Sequence, residues 1–411
     1  MISVDEARSI ILHSASELDS VAQPSAESAG FVLAEDVVSG EAIPPFDNSA
    51  MDGYAVRSED VQNASQDRPV ILNVIDVVQA GVASLKTLGV NEAIQIMTGA
   101  PLPRGADAVV MVEHTEKLGE NLVKIFASAG KHENCRFAGD DIRKGQLVFE
   151  KGRRLKSYDT GVLASIGRKE VTVLRKPRVA ILSTGNELIG VDEPLTPGKI
   201  RSSNNIALHS LLIHYGAIPF DFGIARDTPE DTEKQLARAM EYDIILTSGG
   251  VSMGEYDFVR ETLQHLGIEI KFWKVRQKPG KPLVFGTKGD QLFFGLPGNP
   301  VSSIVCFELY VVPAMYKMMG LTYSPLIIHA RCKHAINKKN GLRHFLRAII
   351  SKNGKDFEVE LTGNQSSGVL SSLSYADGLI DLAEGRGHVG EGETVEVVIL
   401  DKEKLLKLMS R

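Results

Sequence analysis

The sequence predicts a multi-domain protein of α/β plus β class, in which a parallel α/β ligand-binding domain lies between β modules. Three observations predict this class. The chain has 411 residues, which is enough for two to four domains that each bury a core. Strand patterns alternate with helix patterns after residue 176, as in a parallel sheet covered by helices. Short β patterns separated by turns fill residues 70–126 and the end of the chain.

The N-terminal part predicts a helix, two extended arms and an inserted small β domain. Ser3 and Glu6 have capping-box spacing, which predicts a helix from there to about Leu18. The runs "VILNVIDVV", "EAIQIMTG", "DAVVMVE" and "LVKIF" alternate with Gly, Pro and Asn turns, so they predict a β domain over residues 46–138. Residues 1–45 and 139–175 are expected to contain the helix and the arms.

The second half predicts the α/β domain and then a C-terminal β barrel. "RVAILSTG", "AIPFDFGIA" and "DIILTSGG" have the apolar pattern of buried strands. Between them, one predicted helix is followed by Gly216 as its C-terminal cap, and another begins with Thr228 as N-cap and Pro229 at its first position. The predicted boundaries are residues 176–323 for the α/β domain and 324–411 for the barrel.

Composition and charge exclude several classes of protein. Lys and Arg number 46 against 52 Asp and Glu, and the net charge of -6 argues against nucleic acid as a partner. The N-terminus has no leader pattern, and the most apolar run is divided by a Gly-Asn-Pro turn, so no membrane partner is expected. Three widely spaced cysteines favour a reducing compartment, so the expected location is the cytoplasm.

Three loops that follow predicted strands contain the residues of a candidate anion site. In open parallel sheets, ligands bind beyond the carboxyl ends of the strands, where glycines let backbone N–H groups approach a phosphate. Each loop taken alone could be only a tight turn between strand and helix, but three together favour a binding cleft. The loop residues are Thr184, Gly185 and Glu187, then Ser248, Gly249, Gly250, Ser252 and Asp257, then Gly298, Asn299 and Ser302.

A basic segment in the same α/β unit predicts an anionic ligand. Lys274, Arg276, Lys278 and Lys281 lie within eight positions of the run "KVRQKPGK". Such a run is usually a solvated surface, but here it follows a predicted buried strand. The acids Glu187 and Asp257 at the same rim would repel an anion, so Mg²⁺ is expected to bind between them and the ligand.

Six motifs in this order resemble one known family. "PPFDNSAMDGYAV", "IMTGAPLPRGADAVVMVE", "STGNEL", "TSGGVSMGEYD", "KPGKP" and "LPGNPVSS" resemble the MoeA family of molybdopterin molybdenumtransferases, which is related to the E domain of gephyrin. The resemblance implies insertion of molybdate into adenylylated molybdopterin, with Mg²⁺ and with release of AMP. It also implies an elongated homodimer, built through the extended arms, in which both chains line each active cleft.

The resemblance also implies which residues act. Asp52 and Thr98 would position molybdate or water, Glu187 and Asp257 would bind the cation, and the lysines would neutralise phosphate and molybdate charge. The matching positions are Asp52, Thr98, Asp141, Glu187, Asp227, Asp257, Lys274, Lys278, Pro297 and Pro300. Asp52 has a simpler alternative role, which is to close the Met-Asp-Gly turn through its side chain.

The resemblance leaves one departure and two alternative functions. Ser202 stands where the family usually has Asp or Asn, which implies a weaker ligand or metal contact. A molybdopterin adenylyltransferase would need only the α/β domain, so the length of this chain argues against that activity. A scaffold of the gephyrin type is the other alternative, and the absence of a linker or fused domain argues against it.

Overall fold

The computed structural model describes residues 1–226, 228–250 and 256–410, with only the backbone described for 256–260. These residues form two compact units. One unit consists of Met1–Val21 and Leu174–Arg411, and the other is Ala22–Val173. The second unit contains the predicted arms and inserted β domain, and the first contains the α/β domain and the C-terminal barrel.

The N-terminal helix begins as predicted and ends early. It spans Val4–Ser14, and the capping box is present, because the Glu6 amide donates to the Ser3 hydroxyl and the Ser3 amide donates to the Glu6 carboxylate. The chain leaves the helix before Leu18, whose amide donates instead to the Met318 carbonyl 2.9 Å away. The expected end at Leu18 was therefore wrong by four residues.

The inserted β domain is a six-stranded sheet. All four predicted runs form strands, and Gly53–Val56, from the end of the "SAMDGYAV" motif, lies between two of them. A Cβ on Gly53 would overlap the Val110 carbonyl, so only glycine fits where the motif enters the sheet. In sheet order the strands are Ala108–Met111, Gly53–Val56, Glu92–Ile96, Val70–Val78, Leu122–Ile125 and Thr115–Leu118.

The extended arms on either side of this domain pair with each other. Val37–Val38 pairs with Leu147–Phe149, and Ile43 forms a bridge with Ile142. These arms pack around Leu33, Leu163 and other buried apolar residues. The remaining elements of this unit are Ser25–Glu27, Ser58–Val61, Val112–His114 and Ser157–Ser165 as helical segments, and the strands Ser20–Pro24, Val32–Leu33, Asn48–Ser49, Cys135–Arg136 and Glu170–Leu174.

The α/β domain has a six-stranded sheet in which five strands run in one direction and one strand runs opposite to them. The prediction of a parallel sheet was wrong for Val284–Lys288, which pairs antiparallel with both of its neighbours, Gln291–Leu296 and Glu269–Trp273. Only Gly289 and Asp290 connect Val284–Lys288 to the next strand, and a connection this short permits only a hairpin. In sheet order the strands are Ile218–Ala225, Arg178–Thr184, Ile244–Ser248, Gln291–Leu296, Val284–Lys288 and Glu269–Trp273.

Helices cover this sheet on both faces, with separate apolar clusters on each. The caps at Thr228 and Gly216 are as predicted: the Thr228 hydroxyl accepts from the Asp231 amide, and Gly216 has φ +90°. The helices are Ser203–His214, Pro229–Ala239, Tyr256–His265, Pro300–Cys306 and Val312–Met318, with a π-helical segment Phe307–Val311 between the last two. The small strands Leu188–Ile189 and Ile200–Arg201 pair in parallel at the edge of the domain.

The continuous helical stretch Pro300–Met318 is long and apolar enough to cross a bilayer by length and composition alone. In its most apolar window, 78% of the stretch is buried inside the protein. Burial of this extent is typical of the core helix of a folded domain.

The C-terminal region forms a closed five-stranded barrel, as predicted. The sheet closes because Arg343–Asn353 pairs with both Asp356–Leu361 and Gly378–Leu382. A sixth strand from the α/β domain, Gln277–Lys278, pairs with Arg343 and His344 and joins the two domains. The remaining elements of this region are the strands Ile327–Cys332, Ile336–Asn337, His388–Val389 and Thr394–Ile399 and the helices Ser371–Ser374 and Lys402–Met409.

A largely buried carboxyl group lies in the π-helical segment. The Tyr215 hydroxyl donates to the Glu308 carboxylate at 2.6 Å. Burial raises the pKa of Glu308 to about 7, although the hydrogen bond from Tyr215 and the charge of Lys402 act in the opposite direction. Glu308 is therefore protonated in the folded protein at pH values where it would ionise in the unfolded chain.

We expect Glu308→Gln to be more stable than the native chain above pH 7. The folded state keeps the Glu308 proton up to about pH 7 while the unfolded state loses it near 4.5, so native stability is lost as pH rises between these values. The stability that the native chain loses over this pH range corresponds to about 3 kcal/mol as an upper limit. Thermal unfolding at pH 5 and pH 8 would measure it, with the exposed Glu17→Gln as control. If the difference in stability between Glu308→Gln and the native chain were the same at pH 5 and pH 8, the raised pKa of Glu308 would be contradicted.

Candidate functional site

A cleft of about 670 Å³ lies at the carboxyl ends of the parallel strands. It is lined by ten of the residues that the sequence singled out, and all three predicted loops contribute. Those ten are Thr184, Gly185, Glu187, Ser248, Gly249, Gly250, Pro297, Gly298, Asn299 and Pro300. The parallel pairing explains why residues 60 to 110 positions apart in the chain meet, because the carboxyl ends of parallel strands lie at one edge of the sheet.

The two glycines after Ile244–Ser248 are required by close backbone packing. Gly249 and Gly250 have φ values of +93° and +66°, which L-residues rarely adopt. A Cβ on Gly249 would lie 2.5 Å from the Thr184 carbonyl oxygen, and one on Gly250 would lie 2.5 Å from the Thr184 hydroxyl. The loops after two neighbouring strands are therefore in direct contact.

Asn204 is a cleft residue that sequence reasoning missed. Its amide nitrogen donates to the Ser248 hydroxyl at 2.7 Å and to the Gly298 carbonyl at 2.8 Å, so it connects the second and third loops. The next residue, Asn205, joins Ser183 to Asp221 through a buried amide. The "NN" pair at the start of a predicted helix was the available signal, because Asn in a first turn often uses its side chain for local hydrogen bonds.

The cleft also receives residues from a helix N-terminus and from the C-terminal region. Ser202, Ser203 and Asn204 line it at the start of Ser203–His214, which has no side-chain cap and no acidic residue in its first turn. The positive end of this helix dipole is therefore available to an anion. Gly368 and Leu370 come from the run "SSGVLSSLSYADG", which was not predicted as part of the site.

The three predicted lysines do not line this cleft. Lys274 is half-buried and pairs through its backbone with Leu283, and Lys281 is exposed beside Pro282, which does line the cleft. Lys278 lines a second cavity, of about 440 Å³, between the α/β domain and the barrel. Arg276, from the same basic run, forms an ion pair with Glu384 at 3.0 Å.

The second cavity is strongly cationic. Lys278, Lys338, Lys339 and Arg347 line it, and no Asp or Glu is among its described lining residues. His344 also lines it, and burial together with the charges of Lys338 and Lys278 lowers the pKa of His344 to about 4. The ring is therefore neutral at pH 7, and the fixed charges of the cavity come from the lysines and the arginine.

Arg347 is the most buried of these cations. It is 1% exposed, and its guanidinium donates to the Ser372 hydroxyl at 3.0 Å and the Ser366 carbonyl at 3.0 Å, with no carboxylate partner among the described residues. Burial lowers the pKa of Arg347. A guanidinium that is buried without a counter-charge favours an anion in the adjoining cavity.

Asp52 and Thr98 meet in the other unit. The Asp52 carboxylate accepts from the Thr98 amide at 2.7 Å and from the Thr98 hydroxyl at 2.9 Å, and these two bonds lower the pKa of Asp52. Its described hydrogen-bond partners do not include the turn that it occupies, so the turn-closing role is not supported. Both side chains are exposed, as is Asp141, which lies next to the bridge between Ile43 and Ile142.

Two predicted carboxylates lie outside the residues whose side chains are described. These are Asp227 and Asp257, so the proposed pairing of Asp257 with Glu187 stays a prediction. Within residues 1–226, 228–250 and 261–410, no group of three or more His, Cys, Asp or Glu has the arrangement of a metal site.

Three family models match consecutive parts of the chain. The MoeA N-terminal region (domain I and II) matches residues 2–167, the probable molybdopterin binding domain matches 180–317, and the MoeA C-terminal region (domain IV) matches 329–400. The molybdopterin molybdenumtransferase of Staphylococcus epidermidis is 37% identical over 402 residues, which is 97% of this chain and 96% of the relative. The chain belongs to the MoeA family. The resemblance seen in the six motifs is therefore confirmed.

Other MoeA relatives agree in sequence and in fold. The molybdopterin molybdenumtransferase of Bacillus subtilis is 37% identical over 381 residues, which is 90% of this chain and 87% of the relative. A crystal structure of the molybdopterin biosynthesis MoeA protein from Pyrococcus horikoshii has a TM-score of 0.82 at 34% identity and covers 97% of this chain and 99% of that one. The chain thus has the MoeA-type multidomain fold.

We expect Gly250→Ala to weaken AMP binding in the cleft, because the new methyl group would displace the Thr184 hydroxyl and strain the loop. Gly289→Ala is the matched control: Gly289 also has a positive φ, +57°, but a Cβ there would meet no atom within 4 Å. Calorimetric titration with AMP should show at least a tenfold weaker affinity for Gly250→Ala and native affinity for Gly289→Ala. Equal affinities for both variants would contradict the role of this contact.

Proposed function

We propose that this chain is a molybdopterin molybdenumtransferase, which inserts molybdate into adenylylated molybdopterin and releases AMP. The observation that carries the proposal is the arrangement around the segment Lys278–Pro282. Pro282 lines the glycine-rich cleft, and Lys278 lines the cationic cavity. A nucleotide phosphate site and an oxyanion site would then adjoin one short segment. The names of the MoeA relatives support the same activity.

The cleft would bind the nucleotide end of the substrate. Gly249 and Gly250 leave the backbone open to phosphate oxygens, and the N-terminus of Ser203–His214 supplies an uncapped positive end. Asn204 would keep the second and third loops in register while the ligand binds. The adenylyl phosphate fits such a surface because each of its oxygens accepts hydrogen bonds from backbone amides.

The cationic cavity would bind molybdate. Molybdate is a compact dianion, and the cavity offers Lys278 and the buried Arg347 without an opposing carboxylate among its described lining residues. Charge-assisted hydrogen bonds from such groups are stronger than neutral ones. Molybdate would approach the pterin dithiolene from this side, and one of its oxygens would leave as water with the two thiol protons as the sulfurs bind. Water would cleave the phosphate anhydride, which would release AMP from the cleft and leave the other phosphate on the pterin.

The cleft residues fit Mg²⁺ bound jointly by protein and substrate. Glu187 supplies one carboxylate, and the Thr184 hydroxyl is buried with no hydrogen-bond partner among the described residues. Mg²⁺ usually binds through one or two carboxylates together with substrate phosphates, and Asp257 is the second carboxylate that we propose. When bound, the ion would neutralise phosphate charge as the anhydride breaks.

The residues of the other unit would complete the site in a homodimer. We propose that the extended arms form the dimer and that Asp52, Thr98 and Asp141 act at the reacting phosphate or on molybdate. The two hydrogen bonds from Thr98 keep the Asp52 carboxylate ionised and oriented. An exposed, ionised and oriented carboxylate suits the positioning of water.

The alternative activities receive less support. The matches over residues 2–167 and 329–400 lie outside the domain that an adenylyltransferase would need. The cleft, with its site residues present, disfavours a purely structural scaffold. We place the protein in the cytoplasm, where the free thiols of Cys135, Cys306 and Cys332 stay reduced, and a net charge of -6 disfavours nucleic acid as a partner.

The proposed activity predicts that AMP release depends on molybdate. Purified protein, Mg²⁺ and adenylylated molybdopterin should release AMP at least tenfold faster with molybdate than without it. Liquid chromatography would measure AMP, and reconstitution of a molybdoenzyme would measure active cofactor. AMP release at the same rate without molybdate would refute the transferase assignment, and ATP in place of the pterin substrate is the control.

A shared cleft predicts complementation between two inactive variants. If Asp52 and Glu187 of one site come from different chains, a heterodimer of Asp52→Asn and Glu187→Gln has one intact site and one doubly altered site. Random mixing should then restore about one quarter of native activity, because about half of the dimers are mixed. A mixture as inactive as its parents, with mixed dimers verified by native mass spectrometry, would show that each site belongs to one chain.

A further inference from the structure

In the segment Lys278–Pro282, Lys278 pairs with His344 of the barrel, and the residues after it have few backbone contacts of their own. Pro279 and Pro282 lack an N–H group, and the backbone bonds nearest to them are those from Val275 to the Lys281 carbonyl at 2.9 Å and from Lys274 to the Leu283 carbonyl at 2.9 Å. The residues that follow Lys278 in this segment therefore need support from side chains below them.

Gln277 provides that support from the interior. Its side chain is fully buried, and its amide nitrogen donates to the Pro279 carbonyl at 3.0 Å. Because successive side chains of a strand point to opposite faces, an inward Gln277 directs Lys278 outward to the cavity. The Cys306 thiol lies beside the same amide and contacts the Gly280 carbonyl at 3.5 Å.

Tyr310 fixes the orientation of the Gln277 amide. The Tyr310 hydroxyl, on a residue that is 1% exposed, donates to the Gln277 carbonyl oxygen. With the amide reversed, its oxygen would face the Pro279 carbonyl, and two acceptors would meet without a proton between them. Tyr310 belongs to the π-helical segment Phe307–Val311, whose wider turn places it against Gln277.

The segment has no space in which to shift toward the interior. Gly280 has φ +91°, and a Cβ there would overlap the Cys306 sulfur and lie 2.6 Å from the Gln277 amide nitrogen. The backbone of the segment therefore rests directly on the helix that begins at Pro300, a residue that lines the cleft.

We infer that Gln277 and Tyr310 are positioning residues for the molybdate step, acting through the segment that carries Lys278. The inference rests on the proposed function for the identity of the oxyanion. Neither residue lines the cleft or the cationic cavity, so neither touches a ligand there. Loss of the Tyr310 hydroxyl would leave the Gln277 oxygen unpaired in the interior, and the amide and the segment would both rearrange.

The test compares Tyr310→Phe with Tyr215→Phe. Tyr215 also has a hydroxyl that bonds to the π-helical segment, but its partner is Glu308 rather than Gln277. Tyr310→Phe should raise the KM for molybdate at least fivefold and leave the KM for adenylylated molybdopterin within twofold. Tyr215→Phe should leave both values within twofold, even where it lowers thermal stability.

A double substitution tests whether Tyr310 acts through Gln277. If it does, Tyr310→Phe should add nothing to the effect of Gln277→Met on the KM for molybdate, since contacting residues are not additive. The inference would be overturned if Tyr310→Phe and Tyr215→Phe had equal effects, or if the effects were additive in the double variant. A change confined to the KM for the pterin substrate would also overturn it.

Equilibrium dialysis with molybdate separates this inference from the proposed function. Tyr310→Phe and Lys278→Ala should both weaken molybdate binding at least fivefold, whether or not the native protein releases AMP. If the native protein bound molybdate but released no AMP, and both variants bound molybdate more weakly, only the transferase activity would be refuted. The positioning role would be refuted if the native protein did not bind molybdate, or if Tyr310→Phe bound molybdate with native affinity.

Discussion

The parallel pairing of Arg178–Thr184 with Ile244–Ser248 is the constraint on which the cleft depends. Ser183 lies opposite Ser248 in one pair of strands, and Ser248 lies opposite Leu296 in the next, so three loops leave the sheet at one level. The loops can meet there only because Gly249 and Gly250 bring backbone against Thr184. A side chain at either glycine would separate the loops, and Asn204 would then lose one of its two partners.

The barrel adds a second constraint at the Lys278 end of the "KPGKP" motif, whereas Pro282 at the other end lines the cleft. Gln277–Lys278 belongs to the α/β domain by sequence but pairs with a barrel strand at Arg343 and His344. Arg343 also forms ion pairs with Asp381 at 2.7 Å and with Asp5 at 3.0 Å, which connect the barrel to the N-terminal helix. The cationic cavity is therefore a product of this junction, because neither domain alone has all of its lining residues.

Two buried ionisable groups have a cost in stability. Arg347 is buried without a carboxylate partner, and Glu308 is buried with a raised pKa. Arg347 is stabilised by hydrogen bonds to neutral groups, and Glu308 by the hydrogen bond from Tyr215 and the charge of Lys402. Apolar replacements of the same shape would often be as stable or more stable. For Arg347, the proposed binding of molybdate in the cationic cavity offers a functional reason. The structure offers no comparable reason for Glu308, which lies among the tyrosines of the core.

The sequence alone determined the element types, the glycine-rich loops and the family, because these follow from local periodicity, from caps such as Ser3 and Thr228, and from ordered motifs. It also determined that Glu187 and the two later loops would meet, since parallel strands place their carboxyl ends together. Only the tertiary structure decided that Val284–Lys288 runs antiparallel, because this direction follows from where the strands end and from the two-residue hairpin between them. The tertiary structure also decided that Lys278 and Glu187 lie in different cavities, and that the buried Arg347 lines the same cavity as Lys278. Those placements depend on contacts between residues tens of positions apart, which short patterns in a single sequence do not encode.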